Sequence, residues 1–137
     1  MSAPKGMPLE EIRDWFRRHW PNFENTVALA EAGEGRARLC LQVEQRHLRP
    51  GETVSGPTMM LLADAALYVA LLSVDRDATD AVTSNFNISF LRRPGQHDLV
   101  ADAELLKSGR RLVVGEVRIL GQAGELVAHA TVTYARP

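Results

Sequence analysis

The chain has 137 residues, is 45% hydrophobic and 24% charged, and carries a formal net charge of −1. This length predicts one domain, residues 1–137, with a sizeable core, and the near-neutral charge gives no reason to expect nucleic acid or an anionic membrane as a partner. Cys40 is the only cysteine, so no internal disulfide is possible, which fits a reducing cytosol. No apolar segment reaches the ~20 residues of a membrane span, and residues 1–11 lack the apolar run of a signal peptide. We therefore expect a soluble, cytoplasmic protein.

The first predicted element is an amphipathic helix over about residues 8–20, PLEEIRDWFRRHW. Acidic residues near its start and basic residues near its end complement the helix dipole, and Pro21 ends it. One face of this helix carries Leu9, Ile12, Trp15, Phe16 and His19. The sequence therefore predicts a helix that packs by one side against the rest of the protein.

The segment ENTVALAEAGEGRARLCLQVEQ, residues 24–45, turns to a period of two. Apolar residues at alternate positions are Ala37, Leu39, Leu41 and Val43. This alternation predicts one half-buried strand. A loop over residues 46–57, RHLRPGETVSGP, follows because it is rich in proline and glycine.

A long apolar helix is predicted over about residues 57–74. Pro57 suits a first helical position, and the run is apolar on nearly every side, so the rest of the protein should surround it. Asp64 is the only charged residue between positions 58 and 74. An unpaired buried carboxylate is costly, so Asp64 requires either a structural partner or a chemical role.

Four strand-like segments complete the chain: 82–90, 99–107, 111–120 and 126–134. In the first, Thr83 and Asn87 belong to a polar set of residues that alternates with an apolar set. The second and third are joined by a short Ser-Gly-Arg turn typical of a hairpin. Consecutive strands after one buried helix favour an antiparallel sheet packed on that helix, which is an α+β fold.

This order of elements, together with four local motifs, resembles the hotdog-fold acyl-CoA thioesterases of the phenylacetate-pathway type. The motifs are RPGETVSGP, LLADAALYVALL, TSNFNISFLRRP, and SGRRLVVGEVRI with its sequel GELVAHATVTY. The resemblance implies a hotdog fold, with an antiparallel sheet wrapped around one long central helix and an additional N-terminal helix. It also implies a homodimer or homotetramer, in which two subunits join into a continuous sheet and the active site lies at their boundary.

The resemblance also implies the reaction and its two principal groups. Gly56 matches the glycine at the helix start whose backbone N–H binds the thioester carbonyl oxygen, and Asp64 matches the carboxylate that acts as general base or nucleophile. Free N–H groups at the positive end of a helix suit a developing oxyanion. The expected activity is acyl-CoA hydrolysis by water attack, with no metal site and no cofactor, since coenzyme A is part of the substrate.

Two positions depart from the family pattern. Where the family usually reads His-Gly-Gly, this chain has Ser55, Gly56 and Pro57, and where several relatives have an asparagine in the preceding loop it has Arg49. The N–H of Gly56 is retained, and the Ser55 hydroxyl can hydrogen-bond a carbonyl or a carboxylate. Ser55 and Arg49 are therefore substrate-binding candidates.

Five further residues are substrate-binding candidates. Thr83 matches a position whose hydroxyl orients water, although a threonine on a polar strand face is also common, and Asn87 fits a brace for the sheet better than a substrate contact. Three basic residues flank the predicted hairpin: Lys107, Arg110 and Arg111. They can bind the coenzyme A phosphates or can simply be solvated.

Two other functions remain open. One is a non-catalytic hotdog module that binds acyl-CoA or an acyl carrier, in which Asp64 is a structural carboxylate bonded to backbone N–H groups. The other is a hotdog dehydratase, which is disfavoured because such enzymes use a catalytic histidine and only His47 lies near Gly56 in the sequence. The sequence does not identify the acyl group.

Overall fold

The computed structural model describes residues 5–137. Residues 1–4, which belong to the segment in which no signal peptide is predicted, lie outside that range. Two α-helices are present in the described residues, α1 (Leu9–His19) and α2 (Gly56–Leu72). The strands are β1 (Val27–Gly33), β2 (Arg36–Leu41), β3 (Leu48–Arg49), β4 (Thr53–Val54), β5 (Val82–Phe90), β6 (Leu99–Ser108), β7 (Leu112–Leu120) and β8 (Leu126–Ala135). Neither helix is long and apolar enough to cross a membrane.

Six strands form one antiparallel sheet in the order β1-β2-β6-β7-β8-β5. Strands β3 and β4 form a small separate ribbon just before α2. The large sheet packs α2 against its inner face, chiefly through β2, β6 and β7. This arrangement confirms the predicted α+β class with a sheet around one central helix.

Both helices lie close to their predicted positions. α1 begins one residue after Pro8, buries Ile12 and Phe16, and ends before Pro21. α2 ends two residues earlier than predicted, at Leu72, and ten of its 17 residues are buried. The rings of Phe16 and Tyr68 lie 6.0 Å apart, which brings α1 beside one flank of α2.

The region before α2 differs from the prediction, because the single expected strand is a hairpin of two. β1 and β2 pair antiparallel across a tight turn at Glu34 and Gly35, whose φ angles are 54° and 78°. Positive φ at both central residues is typical of a two-residue hairpin turn, in which glycine is favoured. The Gly-Glu-Gly sequence at 33–35 is typical of such a turn, so the prediction of one continuous strand was wrong here.

One stripe of α2 is left uncovered by the sheet. The exposed residues of the helix are Pro57, Met60 and Leu61, and Asp64 and Tyr68 are half-buried further along. Spacings of three and four residues place these side chains on one side of the helix. Asp64 therefore does not face the core, which explains how an otherwise apolar helix accommodates a carboxylate.

Strand β5 contains a bulge that changes which residues face the helix. Thr83 pairs with Tyr134 and Asn85 pairs with Thr133, so Ser84 is an extra residue without a partner in the ladder. A bulge redirects side chains on one side of it. As a result Thr83 points to the inner face rather than to the polar outer face expected from simple alternation, and Val82 points outward with 63% exposure.

Candidate active site

The Asp64 carboxylate is held by two hydroxyl groups. Thr83 Oγ1 and the Tyr134 OH each donate to Asp64 Oδ1 at 2.8 Å. The same Tyr134 hydroxyl also lies 2.7 Å from the backbone oxygen of Asp64. No described residue donates to the other carboxylate oxygen, Oδ2, so it is available to accept a proton.

Tyr134 is a donor that stays protonated. Its side chain is 4% exposed on the inner face of β8, and burial, followed by the negative charge of Asp64, raises its pKa far above the ordinary value. Its ring contacts Tyr68 edge-on at 6.2 Å. A buried phenol that cannot ionise at physiological pH is a permanent hydrogen-bond donor to the carboxylate.

A cavity of about 420 Å³ opens beside Asp64. Its walls include Asp64, Thr83 and Tyr134 together with aromatic residues of α1 and α2. Trp15 Nε1 donates to the Tyr68 OH at 3.1 Å, which in turn donates to the Thr79 carbonyl at 3.0 Å. These bonds attach α1 to α2, so the cavity has a rigid, largely aromatic wall next to one charged group.

At the start of α2, Ser55 is the N-cap residue. Its hydroxyl accepts from the Thr58 N–H at 3.2 Å and lies 2.8 Å from the Thr58 hydroxyl. The Ser55 N–H donates to the His47 carbonyl at 2.8 Å. Ser55 thus satisfies an otherwise unpaired N–H of the first helical turn, a structural role that the sequence analysis did not assign to it.

Gly56, the first residue of α2, leaves its N–H without an acceptor among the described residues. It lines a second cavity, of about 440 Å³, together with Arg49, Phe90, Arg92 and Arg93. A Cβ on Gly56 would stand 3.3 Å from the Phe90 ring. A free N–H at the positive end of a helix, in a cavity, can bind a developing negative charge.

Gly56 and Asp64 do not meet within one chain. They are eight residues apart on one helix, which corresponds to about 12 Å along its axis. They also line different cavities. One thioester carbonyl group in one chain therefore cannot contact both.

The remaining predicted residues lie away from these two cavities. Asn87 is exposed on the outer face of β5, opposite the face that carries Thr83. Lys107 lines another cavity near the end of α2, and Arg110 and Arg111 are exposed in the turn between β6 and β7. The structure does not bring these four residues together with Asp64 or Gly56.

His47, the histidine required by the dehydratase alternative, has a structural role. Its Nδ1 accepts from the Glu44 N–H at 2.9 Å, and it completes a capping box of a short helical turn. Within residues 5–137, no group of three or more His, Cys, Asp or Glu side chains is placed to hold a metal ion.

Sequence reasoning missed three contributors to these cavities. Tyr134 ends the strand predicted over residues 126–134 and was given no role at the site, although its hydroxyl donates to Asp64. Arg92 and Arg93 lie in the motif TSNFNISFLRRP, and the sequence analysis predicted no ligand contact for either residue. The available signal was an Arg-Arg-Pro sequence at the end of a strand that approaches the helix start.

A family model described as the thioesterase superfamily matches residues 51–128, which span the start of α2, Asp64 and Thr83. A "putative esterase" of Halobacterium salinarum is 30% identical over 110 residues, which cover 77% of this chain and 72% of that protein.

Solved structures share the fold. A "putative thioesterase" from Silicibacter sp. TM1040 is 35% identical, with a TM-score of 0.85 that covers 96% of this chain and 92% of the other. The PaaI protein of the E. coli phenylacetic acid degradation operon is 22% identical, with a TM-score of 0.83 over 94% and 93% of the two chains. The hotdog fold predicted from the sequence is thereby confirmed.

Proposed function

The chain belongs to the thioesterase superfamily and is a thioester hydrolase. From this premise we propose that it hydrolyses acyl-CoA thioesters with Asp64 as general base. The observation that carries the proposal is the hydrogen bonding of Asp64. Both of its donors, Thr83 and Tyr134, bind the same oxygen, Oδ1. The carboxylate is therefore oriented while Oδ2 remains free for a water molecule.

In the proposed reaction, Asp64 takes a proton from water as the water oxygen attacks the thioester carbon. The carbonyl oxygen becomes an oxyanion, which the Gly56 N–H and the positive end of α2 stabilise. The tetrahedral intermediate then expels the coenzyme A thiolate, and the protonated Asp64 returns the proton to the sulfur. The products are a carboxylic acid and free coenzyme A, and no other cofactor takes part.

This reaction requires two subunits, because Gly56 and Asp64 of one helix are about 12 Å apart. If two copies of α2 run antiparallel about a two-fold axis at Met60, residue 56 of each lies opposite residue 64 of the other. Met60 and Leu61 are 40% and 48% exposed and occupy the uncovered stripe of the helix where this axis would pass. We therefore propose that Asp64 works with Gly56 of the partner subunit.

The exposed edge of the sheet supports the same assembly. Strand β5 is an edge of the sheet, is nine residues long and has no buried residue. Phe90 and the adjacent Leu91 are 49% and 54% exposed. Soluble proteins rarely leave a long strand edge with exposed apolar side chains uncovered, so pairing of β5 with its copy in a homodimer accounts for both features.

The acyl group is proposed to occupy the cavity beside Asp64. Its walls are largely aromatic and apolar apart from the Asp64 cluster, and its volume of about 420 Å³ lies in the range of small-molecule sites, roughly 300–1,000 Å³. This favours a compact or aromatic acyl group.

A panel of acyl-CoA esters, from acetyl through long-chain and aryl, tests the proposal by following release of the free thiol. The proposal expects turnover with at least one compact or aromatic ester. Thermal-shift titration with the same esters separates the alternatives. Tight binding of all esters without hydrolysis of any would support the non-catalytic module and contradict the proposed reaction.

A further inference from the structure

Trp20, the residue after the last residue of α1, lines two different cavities. One is the cavity beside Asp64, called here the acyl cavity. The other, called here the distal cavity, has a volume of about 290 Å³ and lies beside Leu41 and Leu62. Among residues 5–137, Trp20 is the only one that lines both cavities. Its side chain is therefore the part of the wall that the two cavities share.

The two cavities follow one another along the same side of α2. The helix contributes Leu61 to the distal cavity and Ala65 to the acyl cavity. A spacing of four residues places these two positions on one face of the helix, about 6 Å apart along its axis. A linear acyl group that runs from Asp64 toward the start of α2 therefore meets Trp20 at the boundary of the distal cavity.

The distal cavity is suited to a hydrocarbon tail. Besides Trp20, its apolar lining residues are Pro21, Phe23, Val27, Leu41, Leu61 and Leu62. The Arg46 guanidinium at this cavity already has partners, because it donates to the Glu44 carboxylate at 3.1 Å and to the Thr26 hydroxyl at 3.3 Å. Burial, and then the charge of Arg46, lower the pKa of His47, so this ring is uncharged at neutral pH. An uncharged occupant therefore fits the distal cavity best.

The Trp20 ring is held by two other aromatic rings. It lies 5.8 Å from the ring of Phe16, nearly parallel to it at 12°, and 4.5 Å from the ring of Phe23. The Trp20 N–H donates to the Phe16 carbonyl at 2.7 Å, and Phe16 is a core residue with 1% exposure. Trp20 itself is 41% exposed. The residue thus contributes less to the core than to the shape of the cavity wall.

We propose that Trp20 limits the length of the acyl group by closing the acyl cavity, and that the distal cavity accepts a longer tail once the indole is removed. This inference rests on the proposed acyl-CoA hydrolysis. A methylene that cannot pass the indole gains no buried area. Each methylene that enters an apolar cavity instead strengthens binding by about fourfold. Trp20 is thereby the residue that makes the enzyme select compact acyl groups.

Non-hydrolysable analogues measure the accepted tail length without any turnover. In a 2-oxoalkyl thioether of coenzyme A, a methylene group between the sulfur and the carbonyl carbon prevents hydrolysis. Calorimetric titration of a series of linear analogues into wild type, W20L and W20A gives the affinity at each tail length. The wild-type affinity should rise with tail length and then stop rising. In W20A it should continue to rise by about fourfold per methylene and exceed that of wild type at least about tenfold for the longer tails.

Two further variants make the test specific to the distal cavity. W20L keeps an apolar side chain against Phe16 and Phe23, so it should fold even if W20A does not, and its length limit should lie between those of wild type and W20A. Val27 lines the distal cavity and not the acyl cavity. In W20A/V27F the larger side chain occupies the distal cavity, so the length limit should return to that of wild type. The kcat/KM values of linear acyl-CoA esters should follow the same order.

Three results would overturn the assignment. One is the same length limit in wild type, W20L and W20A. Another is an equal loss of affinity at every tail length in the Trp20 variants, which would make the indole a structural support. The third is a W20A/V27F protein that still accepts long tails, which would place the tail outside the distal cavity. Binding of the analogues without hydrolysis of the matching thioesters would contradict the proposed reaction alone, whereas the absence of any binding would contradict both.

Discussion

The hydroxyl of Tyr134 donates to Oδ1 of Asp64 at 2.8 Å, although the two residues are 70 positions apart in the chain. The bond joins strand β8 to the middle of α2. Thr83 donates to the same oxygen at the same distance from the neighbouring strand. Sheet and helix together therefore determine the orientation of the one carboxylate on α2.

Tyr134→Phe should lower kcat by about tenfold and the free energy of unfolding by about 1–2 kcal/mol, since it removes one buried donor and leaves Thr83 as the only donor to Oδ1. Steady-state kinetics and urea unfolding measure the two effects. Ser73→Ala is the matched control, because it removes a hydrogen-bonded hydroxyl at the other end of α2. If Tyr134→Phe loses stability like this control but keeps its full kcat, the tyrosine only supports the fold.

Ser55→Ala should lower the free energy of unfolding by about 1 kcal/mol, the usual effect of losing an N-cap side chain. The loss in kcat/KM should be tenfold or less, about the equivalent of one neutral hydrogen bond. Ser55→Thr, which retains a capping hydroxyl, should recover most of the stability. A complete loss of activity in Ser55→Ala, or an acyl-Ser55 adduct in mass spectra, would indicate a serine nucleophile instead of direct water attack.

Ultraviolet titration of the tyrosines should reveal their burial. The chain has two tyrosines, and burial raises the pKa of both Tyr68 and Tyr134. The folded protein should therefore show little tyrosinate absorption near pH ~10, where an unfolded chain is half ionised. Below that pH the protonated tyrosines contribute their full stabilisation to the free energy of unfolding. Above it, the unfolded state releases its protons first, so the free energy of unfolding falls as pH rises. A full-amplitude titration near pH ~10 in folded protein would contradict this arrangement.

The elements set by local patterns could be predicted from the sequence. The apolar run after Pro57 and the alternation in residues 126–134 are local signals, and both elements lie close to where they were expected. The resemblance to known thioesterases added Gly56 and Asp64. These two were predicted to act in one site. Within one chain they line separate cavities, because they are eight residues apart on the same helix.

What the sequence did not reveal depends on register and tertiary contact. The bulge at Ser84 turns Thr83 inward, and simple alternation has no means of detecting an inserted residue. The Asp64–Tyr134 bond joins distant segments. The cap formed by Ser55 is a local feature, but the family comparison directed attention to its possible substrate contact instead.

Mixed dimers test whether the site is shared between subunits. Asp64→Asn should be inactive as a homodimer, and so should Gly56→Val, whose branched side chain fills the space beside the Phe90 ring. A hybrid with one subunit of each kind retains one intact site, formed by Asp64 of one chain and Gly56 of the other, and should recover about half of the wild-type activity. A hybrid as inactive as its parents, or a stable monomer by light scattering at micromolar concentration, would contradict the shared site.

The most direct test of the whole account is the kcat of Asp64→Asn with the best acyl-CoA substrate. The substitution is nearly isosteric and keeps one oxygen that can accept from Thr83 and Tyr134, but it removes the negative charge and the capacity to accept a proton. The account predicts a fall in kcat of about 100-fold or more, the scale of a lost general base, with an unchanged oligomeric state and a Tm equal to or above that of wild type. A kcat close to the wild-type value in a correctly assembled Asp64→Asn protein would show that Asp64 is not the base.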